Sequence, residues 1–248
     1  MRLKIVSLNV WKGKFLGGVI EFLTLEDPDM ILLQEVTRGN LVCEEGVVPD
    51  VFQRLSKGLG LSGVFSPMWA THRGGKSWEL GLAIFSKHSI ESYASKFYSK
   101  NLESFPRGGD NFPGLLLDLG VRTKAGVLRV LTTHFPWSLH PEITPQQLAA
   151  AVQLRELLNV IPEFVLAGDF NVTDESEVYR IISEDMIDDR PKTLKNTLHP
   201  TIHGVGGEKE LAVDYLFHKG ERIRLVESGV PVVDVSDHLP IIAIYDVA

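Results

Sequence analysis

Val127-Leu128-Arg129-Val130-Leu131-Thr132-Thr133 and Glu163-Phe164-Val165-Leu166-Ala167-Gly168 are two short apolar runs, each followed at once by a titratable residue, His134 and Asp169, and a segment with helical marks lies between them. Runs of this length read as buried strands. In residues 144–160, Thr144 can serve as N-cap and Pro145 suits the first turn, while Leu154, Leu157, Leu158 and, just beyond, Ile161 make one apolar stripe. The unit reads as strand, helix, strand, with His134 and Asp169 delivered to the C-terminal ends of its strands.

The pattern continues outward. Residues 4–10, 29–36, 80–86, 115–121, 212–217 and 240–246 read as further strands, and 15–25, 49–59 and 174–182 as weaker helices. The spacing between 115–121 and 127–133, across 122–126, is that of a hairpin, so hairpins mix with strand–helix–strand units. The expectation is an α/β fold with two mixed β-sheets packed face to face and helices outside. The Gly/Pro/Arg-rich stretch 104–114 reads as one long loop, and with no repeat or linker in view residues 1–248 read as a single domain.

Of 248 residues, 44% are hydrophobic and 23% charged, so disorder is not the default. Acidic residues outnumber basic ones 32 to 25, a net charge of −7, which argues against tight nonspecific binding to polyanions. A metal ion can still invert the field inside an acidic site. The one cysteine, Cys43, can form neither an internal disulfide nor a cysteine metal cluster, which points to a reducing compartment. The first residues are too polar for a signal peptide, and no apolar run approaches the roughly 20 residues needed to span a bilayer. The expectation is a cytoplasmic, non-membrane protein, monomeric and without an obligatory protein partner.

Chemistry concentrates at strand ends. Asn9 closes the first strand, Glu35 the second, His134 a third, and Asp169 with Asn171 a fourth. Any one of these alone would normally be a loop residue meeting water. Their co-occurrence points to a ligand site at one sheet edge. Asp214 lies within an apolar strand, where a carboxylate needs a partner, and His238 in Ser236-Asp237-His238-Leu239-Pro240 offers one. A carboxylate that holds one imidazole nitrogen fixes the other toward a substrate. Glu79, at the mouth of residues 80–86, offers a second such pair with His134. The oxygen-rich set Glu35, Asp169, Asn171, Asn9 and Asp237 suits magnesium or manganese better than structural zinc, and a phosphate oxygen can complete the octahedron.

Ser7-Leu8-Asn9-Val10-Trp11, Leu33-Gln34-Glu35-Val36, Gly81-Leu82-Ala83-Ile84-Phe85-Ser86-Lys87, Thr133-His134-Phe135, Gly168-Asp169-Phe170-Asn171, Val213-Asp214-Tyr215-Leu216 and Ser236-Asp237-His238-Leu239-Pro240 resemble, in order and spacing, the motifs of the endonuclease/exonuclease/phosphatase superfamily. The resemblance spans nearly the whole chain. It implies a four-layered α/β sandwich that hydrolyses phosphoesters with Mg2+ or Mn2+. On that resemblance Glu35 is the principal metal ligand, helped by Asn9 and Asp237, and Asp169 orients or deprotonates the attacking water. Asn171 holds that water or a phosphate oxygen, and Asp214 orients His238 against the phosphate.

Thr-Thr-His-Phe-Pro-Trp at 132–137 is unlike the Tyr-bearing exonuclease and apurinic-endonuclease members. It is more similar to the pancreatic deoxyribonuclease, sphingomyelinase and tyrosyl-DNA phosphodiesterase branches, in which a second histidine faces the phosphate with a Glu in support. The signature of inositol-polyphosphate 5-phosphatases is absent near Asp214. Arg107 is a candidate phosphate clamp, and Trp11 and Trp137, next to catalytic motifs, are candidate stacking residues, against the bland reading of a solvated arginine and packing tryptophans. The remaining histidines, His72, His88, His140, His199 and His218, read as surface groups, and His203 has no assigned role. The first functional expectation is a phosphodiesterase acting on nucleic acid, a nuclease or a DNA-end-processing enzyme. The alternative is a hydrolase of a small phosphorylated metabolite or phospholipid headgroup. A catalytically dead binding module fits less well, because the set from Asn9 to His238 is intact.

Overall fold

Two strand–helix–strand units organise the chain, and each places a parallel strand pair near the centre of a sheet. A computed structural model describes residues 1–42, 46–99, 113–138, 142–204 and 210–248; Cys43, His140, Arg107 and residues 104–112 of the expected loop lie outside them. The strands are β1 (Arg2–Asn9), β2 (Met30–Gly39), β3 (Ser62–Arg73), β4 (Lys76–Ser86), β5 (Ile90–Phe97), β6 (Leu115–Thr123), β7 (Gly126–His134), β8 (Phe164–Asp169), β9 (Ile187–Asp188), β10 (Asp214–Lys219), β11 (Ile223–Gly229) and β12 (Ile241–Val247). The helices are α1 (Leu16–Glu26), α2 (Val51–Leu59), α3 (Pro145–Asn159) and α4 (Glu177–Ser183).

One sheet runs β11-β12-β1-β2-β4-β3 and the other β5-β6-β7-β8-β10-β9. Among the described residues only β1–β2 and β7–β8 pair in parallel, each joined through its helix, α1 or α3. Every other recorded strand pair is antiparallel.

Side chains alternate across each strand with period two, so central strands feed two cores. Ile5, Leu32, Ile84, Leu117, Val130, Val165 and Leu216 meet between the sheets. Val6, Leu8, Ile31, Leu33 and Phe85 pack outward with Val19 of α1 and Leu55 of α2. Leu131, Leu166, Tyr215 and Phe217 pack outward with Leu154 and Leu158 of α3 and Ile182 of α4. The result is four layers, helix, sheet, sheet, helix, as expected. α3 begins at a capping box: Thr144 Oγ1 accepts from Gln147 N at 3.2 Å and Gln147 Oε1 from Thr144 N at 3.1 Å. Among the described residues no helix is long and apolar enough to cross a membrane.

Polar ties cross between the sheets. Gln34, fully buried on β2, donates through Nε2 to Thr132 Oγ1 of β7 at 2.8 Å. Tyr245 of β12 donates to Asp189 Oδ2 at 2.6 Å, and Asp189 also holds His218 Nδ1 of β10 at 2.7 Å. This corrects the reading of His218 as a surface group. It is buried because an aspartate and a tyrosine satisfy it there.

Strands β7 and β8 approach closely just where the site begins. Gly168 lies opposite Thr133, and a Cβ at Gly168 would stand 2.0 Å from the Thr133 carbonyl oxygen. A Gly168→Ala substitution is expected to push β8 off β7 and destabilise the protein by about 1–3 kcal/mol, the usual cost of overpacking. Urea unfolding checks this: the midpoint falls while the slope stays constant.

Candidate active site

The C-terminal ends of the two parallel pairs face one another. Asn9 lies opposite Gln34 at the ends of β1 and β2, and His134 opposite Asp169 at the ends of β7 and β8. Asp214, the first residue of β10, lies opposite Asp169 on its other side. Asn9, His134, Asp169, Asp214, Asp237 and His238 are all buried.

The local backbone is bent to present them. The pairing of β2 with β4 shifts register between Leu33 and Val36, a bulge that carries Glu35 at φ 54°. Asn171 (φ 53°), Trp11 (φ 44°) and Lys12 (φ 55°) are also left-handed, so four of the six described non-glycine residues with positive φ flank this site. Such conformations cost on the order of 1–3 kcal/mol each and persist where the surrounding contacts impose them.

Asp169 is the hub. Its Oδ2 accepts from Asn9 Nδ2 at 3.1 Å and lies 3.4 Å from His134 Nε2 and 3.8 Å from His238 Nε2. Its Oδ1 accepts from the Asn171 backbone N–H at 2.9 Å. Asn171 also donates through Nδ2 to Phe135 O at 3.0 Å. The expected Asp214–His238 pair is present, with Nδ1 to Oδ2 at 2.9 Å. Burial by itself lowers the pKa of His238, but the Asp214, Asp169 and Asp237 charges override it and push it from 6.5 up to about 10. His238 is therefore an imidazolium at neutral pH, suited to binding and stabilising an anion rather than to taking a proton. Burial raises the pKa of Asp214, opposed by the His238 charge.

Glu35 and Asp237 make the acidic side of the site. Glu35 Oε1 accepts from Asn9 Nδ2 at 3.4 Å, and Glu35 Oε2 is buried with no hydrogen-bond partner among the described residues. Burial pushes Asp237 up to about 6, with the His238 charge opposing and the Glu35 charge adding to the rise. A buried, unsatisfied carboxylate oxygen and a second carboxylate destabilised by it fit a hard divalent cation. Asn9 uses its amide N–H to hold Glu35 and Asp169, and its Oδ1 accepts from Trp11 N at 3.0 Å, so its observed role is to join the two carboxylates. Among the described residues, Asp169, Asp214 and His238 also bring potential ligand atoms within 4.8 Å of one another, as do His203, Asp237 and His238. Within the first group Asp214 and His238 are already hydrogen-bonded to each other, at 2.9 Å.

Other expected residues sit differently. Glu79 accepts from Arg38 Nε at 2.6 Å, while the imidazole of His134 approaches Asp169. An arginine across the β2–β4 pair thus takes the carboxylate that the sequence offers to His134. Trp11 packs on Phe15 and beneath the Lys14 ammonium, 3.7 Å from the ring centroid. Trp137 is 46% exposed.

Several supports had no sequence motif. Thr197 Oγ1 accepts from the N–H groups of Val213 and Asp214 and so fixes the start of β10. Tyr98 OH shares a 2.7 Å hydrogen bond with Thr133 Oγ1 beside His134. His199 is buried, not on the surface: Nε2 meets Asp234 Oδ1 at 2.9 Å, and Nδ1 accepts from Ile202 N at 3.2 Å. That turn carries His203 edge-on to His238, ring centroids 6.0 Å apart.

The fold is shared with solved structures. An endonuclease/exonuclease/phosphatase protein from Bacteroides vulgatus shares the fold with a TM-score of 0.75, at 18% identity and over 100% of both chains. A mannosyl-6-phosphatase from Bacteroides thetaiotaomicron superposes with a TM-score of 0.72 at 15% identity, over 97% of this chain and 98% of that one. TDP2 of D. rerio, humanised by 14 mutations, does so with a TM-score of 0.69 at 16% identity, over 99% of each. No curated protein sequence matches the chain. The family profile described as Endonuclease/Exonuclease/phosphatase matches residues 6–238, and with its motif residues gathered around Asp169 the chain belongs to that family of phosphoester-cleaving enzymes.

Proposed function

We propose that the protein is a Mg2+- or Mn2+-dependent phosphoester hydrolase that attacks phosphorus in line with water. The observation that carries this reading is the buried row His134–Asp169–Asp214 with His238 hydrogen-bonded to Asp214, beside the carboxylates Glu35, one oxygen of which is buried without a hydrogen-bond partner among the described residues, and Asp237. When bound, a divalent ion held by Glu35 and Asp237 would neutralise charge on the phosphoryl oxygens. Asp169 orients the attacking water and accepts its proton, while Asn171 holds that water or a phosphoryl oxygen. His238 binds the anion as an imidazolium, and Asp214 keeps its Nε2 aimed at the phosphate. His134 adds a second donor.

Two substrate classes follow. The resemblance around Thr133-His134-Phe135 implies a nucleic-acid phosphodiester, cleaved by a nuclease or at a DNA end. A small phosphorylated metabolite is favoured by the net charge of −7, by the carboxylates that line the cavity beside His238, and by the fold shared with a mannosyl-6-phosphatase.

Three outcomes are expected. Chelation by EDTA abolishes hydrolysis of bis-p-nitrophenyl phosphate, and Mg2+ or Mn2+ restores it; metal-independent turnover would overturn the proposal. His238→Gln and Asp169→Asn each lower kcat by roughly a hundred- to ten-thousand-fold while the far-UV circular dichroism is unchanged. In the chelated protein, the folded pKa of His238, about 10, lies above its ordinary 6.5. Its contribution to stability is therefore complete below 6.5 and lost as the pH rises through about 10. Thermal melts should show Tm falling over that window in the wild type and falling less in His238→Gln.

A further inference from the structure

A cavity of about 450 Å3 opens beside the catalytic row, with His238 and Asn171 in its wall. Trp137, Glu142 and Glu175 also line it, together with aliphatic side chains such as Val172 and Leu211. It lies between the approach to α3, the loop from β8 to α4 and the chain leading into β10.

Three features of this cavity bear on its occupant. The volume is that of a small-molecule pocket and holds a group of monosaccharide size, not a duplex. Among the described lining residues there is no lysine or arginine, and two are glutamates, so an anionic strand continuing past the scissile phosphate would meet like charge. The exposed Trp137 ring and the aliphatic side chains offer a flat apolar surface, while the carboxylates accept hydrogen bonds. A ring with a C–H face and a hydroxyl edge matches both. A single tryptophan does not build the aromatic cage that selects a quaternary ammonium.

The wall beside His238 is built rather than incidental. His203, half-buried, lines the cavity and stands edge-on to His238. Its backbone N–H donates to His199 O at 3.1 Å, in the turn that the His199–Asp234 pair pins. On the other flank of the site, Trp11 is already packed on Phe15 and Lys14, which among the described residues beside the site leaves Trp137 as the exposed tryptophan.

We propose that this cavity is the leaving-group subsite and that it selects an uncharged, hydroxyl-rich group, a sugar or polyol carrying the phosphate, over an oligonucleotide. The proposal rests on phosphoester hydrolysis as proposed above. In that reaction a water oxygen bonds to phosphorus and the bond from phosphorus to the sugar oxygen breaks. The water gives up a proton, the departing oxygen takes one, and the products are an alcohol and phosphate.

The test measures kcat/KM, with Mg2+ or Mn2+, for a hexose 6-phosphate, glycerol phosphate, phosphocholine and a short DNA oligonucleotide. The hexose ester should exceed the oligonucleotide and phosphocholine by at least about tenfold. Trp137→Ala should cut the hexose-to-oligonucleotide ratio about tenfold, mainly through KM. Glu142→Lys combined with Glu175→Lys should cut it by raising oligonucleotide cleavage. A wild-type preference for the oligonucleotide or for phosphocholine, or a ratio that neither variant moves, overturns the subsite assignment while leaving phosphoester hydrolysis standing. No metal-dependent turnover of any ester, bis-p-nitrophenyl phosphate included, overturns the proposed function and the subsite with it.

Discussion

A carboxylate buried to 1% exposure must be satisfied from every side, and Asp169 is satisfied by groups from both sheets. Asn9 reaches it from β1, His134 from the neighbouring β7, Asn171 from its own turn, and His238 from the segment before β12. An unpaired charge at that depth would cost several kcal/mol. The packing of the sheets and the assembly of the site are therefore one constraint. The buried Gln34–Thr132 hydrogen bond ties β2 to β7 one to two residues short of Glu35 and His134, and the absence of a side chain at Gly168 lets β7 and β8 close below the hub.

The parallel pairs explain why the chemistry gathers where it does. Each strand–helix–strand unit brings two strand C-termini to one edge, and packing two such sheets face to face sets those edges against each other. Each sheet, the segment leading into β12 included, contributes both carboxylate and imidazole groups to the site. Glu35 comes from the β11-to-β3 sheet, His134 and the Asp214 that holds His238 from the β5-to-β9 sheet, and Asn9 spans them. The net charge of −7 has a local part in this site, since the carboxyl groups of Glu35, Asp169, Asp214 and Asp237 crowd into it.

The central strands were legible in the sequence because both of their faces are buried, which makes them near-continuous apolar runs. All four helices fall on the segments expected to be helical, and α3, the one with a readable N-cap and apolar stripe, within a residue at each end. The four strands that the sequence did not reveal, β3, β5, β9 and β11, are the four sheet edges. β5 shows the reason: in Ile-Glu-Ser-Tyr-Ala-Ser-Lys-Phe every residue after the first is exposed, so no apolar pattern marks it. The same logic applies to the site. Asp169, Asp214 and His238 stood out as polar residues in or after apolar runs, whereas Thr197, Tyr98 and His199 act through contacts distant in sequence. Glu79 and His218 were misplaced for one reason: their partners, Arg38 and Asp189, lie on other segments and become visible only when the strands are paired.

On the function proposed above, the cation sits on the Glu35–Asp237 side of the site, while Asp214 holds His238 by a 2.9 Å hydrogen bond and Asp169 lies 3.8 Å from its other ring nitrogen. Anomalous diffraction at the manganese edge from crystals soaked in Mn2+ tests it most directly. The expected result is a single strong peak bonded to a Glu35 carboxylate oxygen, with Asp237 contributing directly or through water and the Asp214–His238 hydrogen bond intact. A manganese ion ligated between Asp169, Asp214 and His238, with Glu35 untouched, would contradict it.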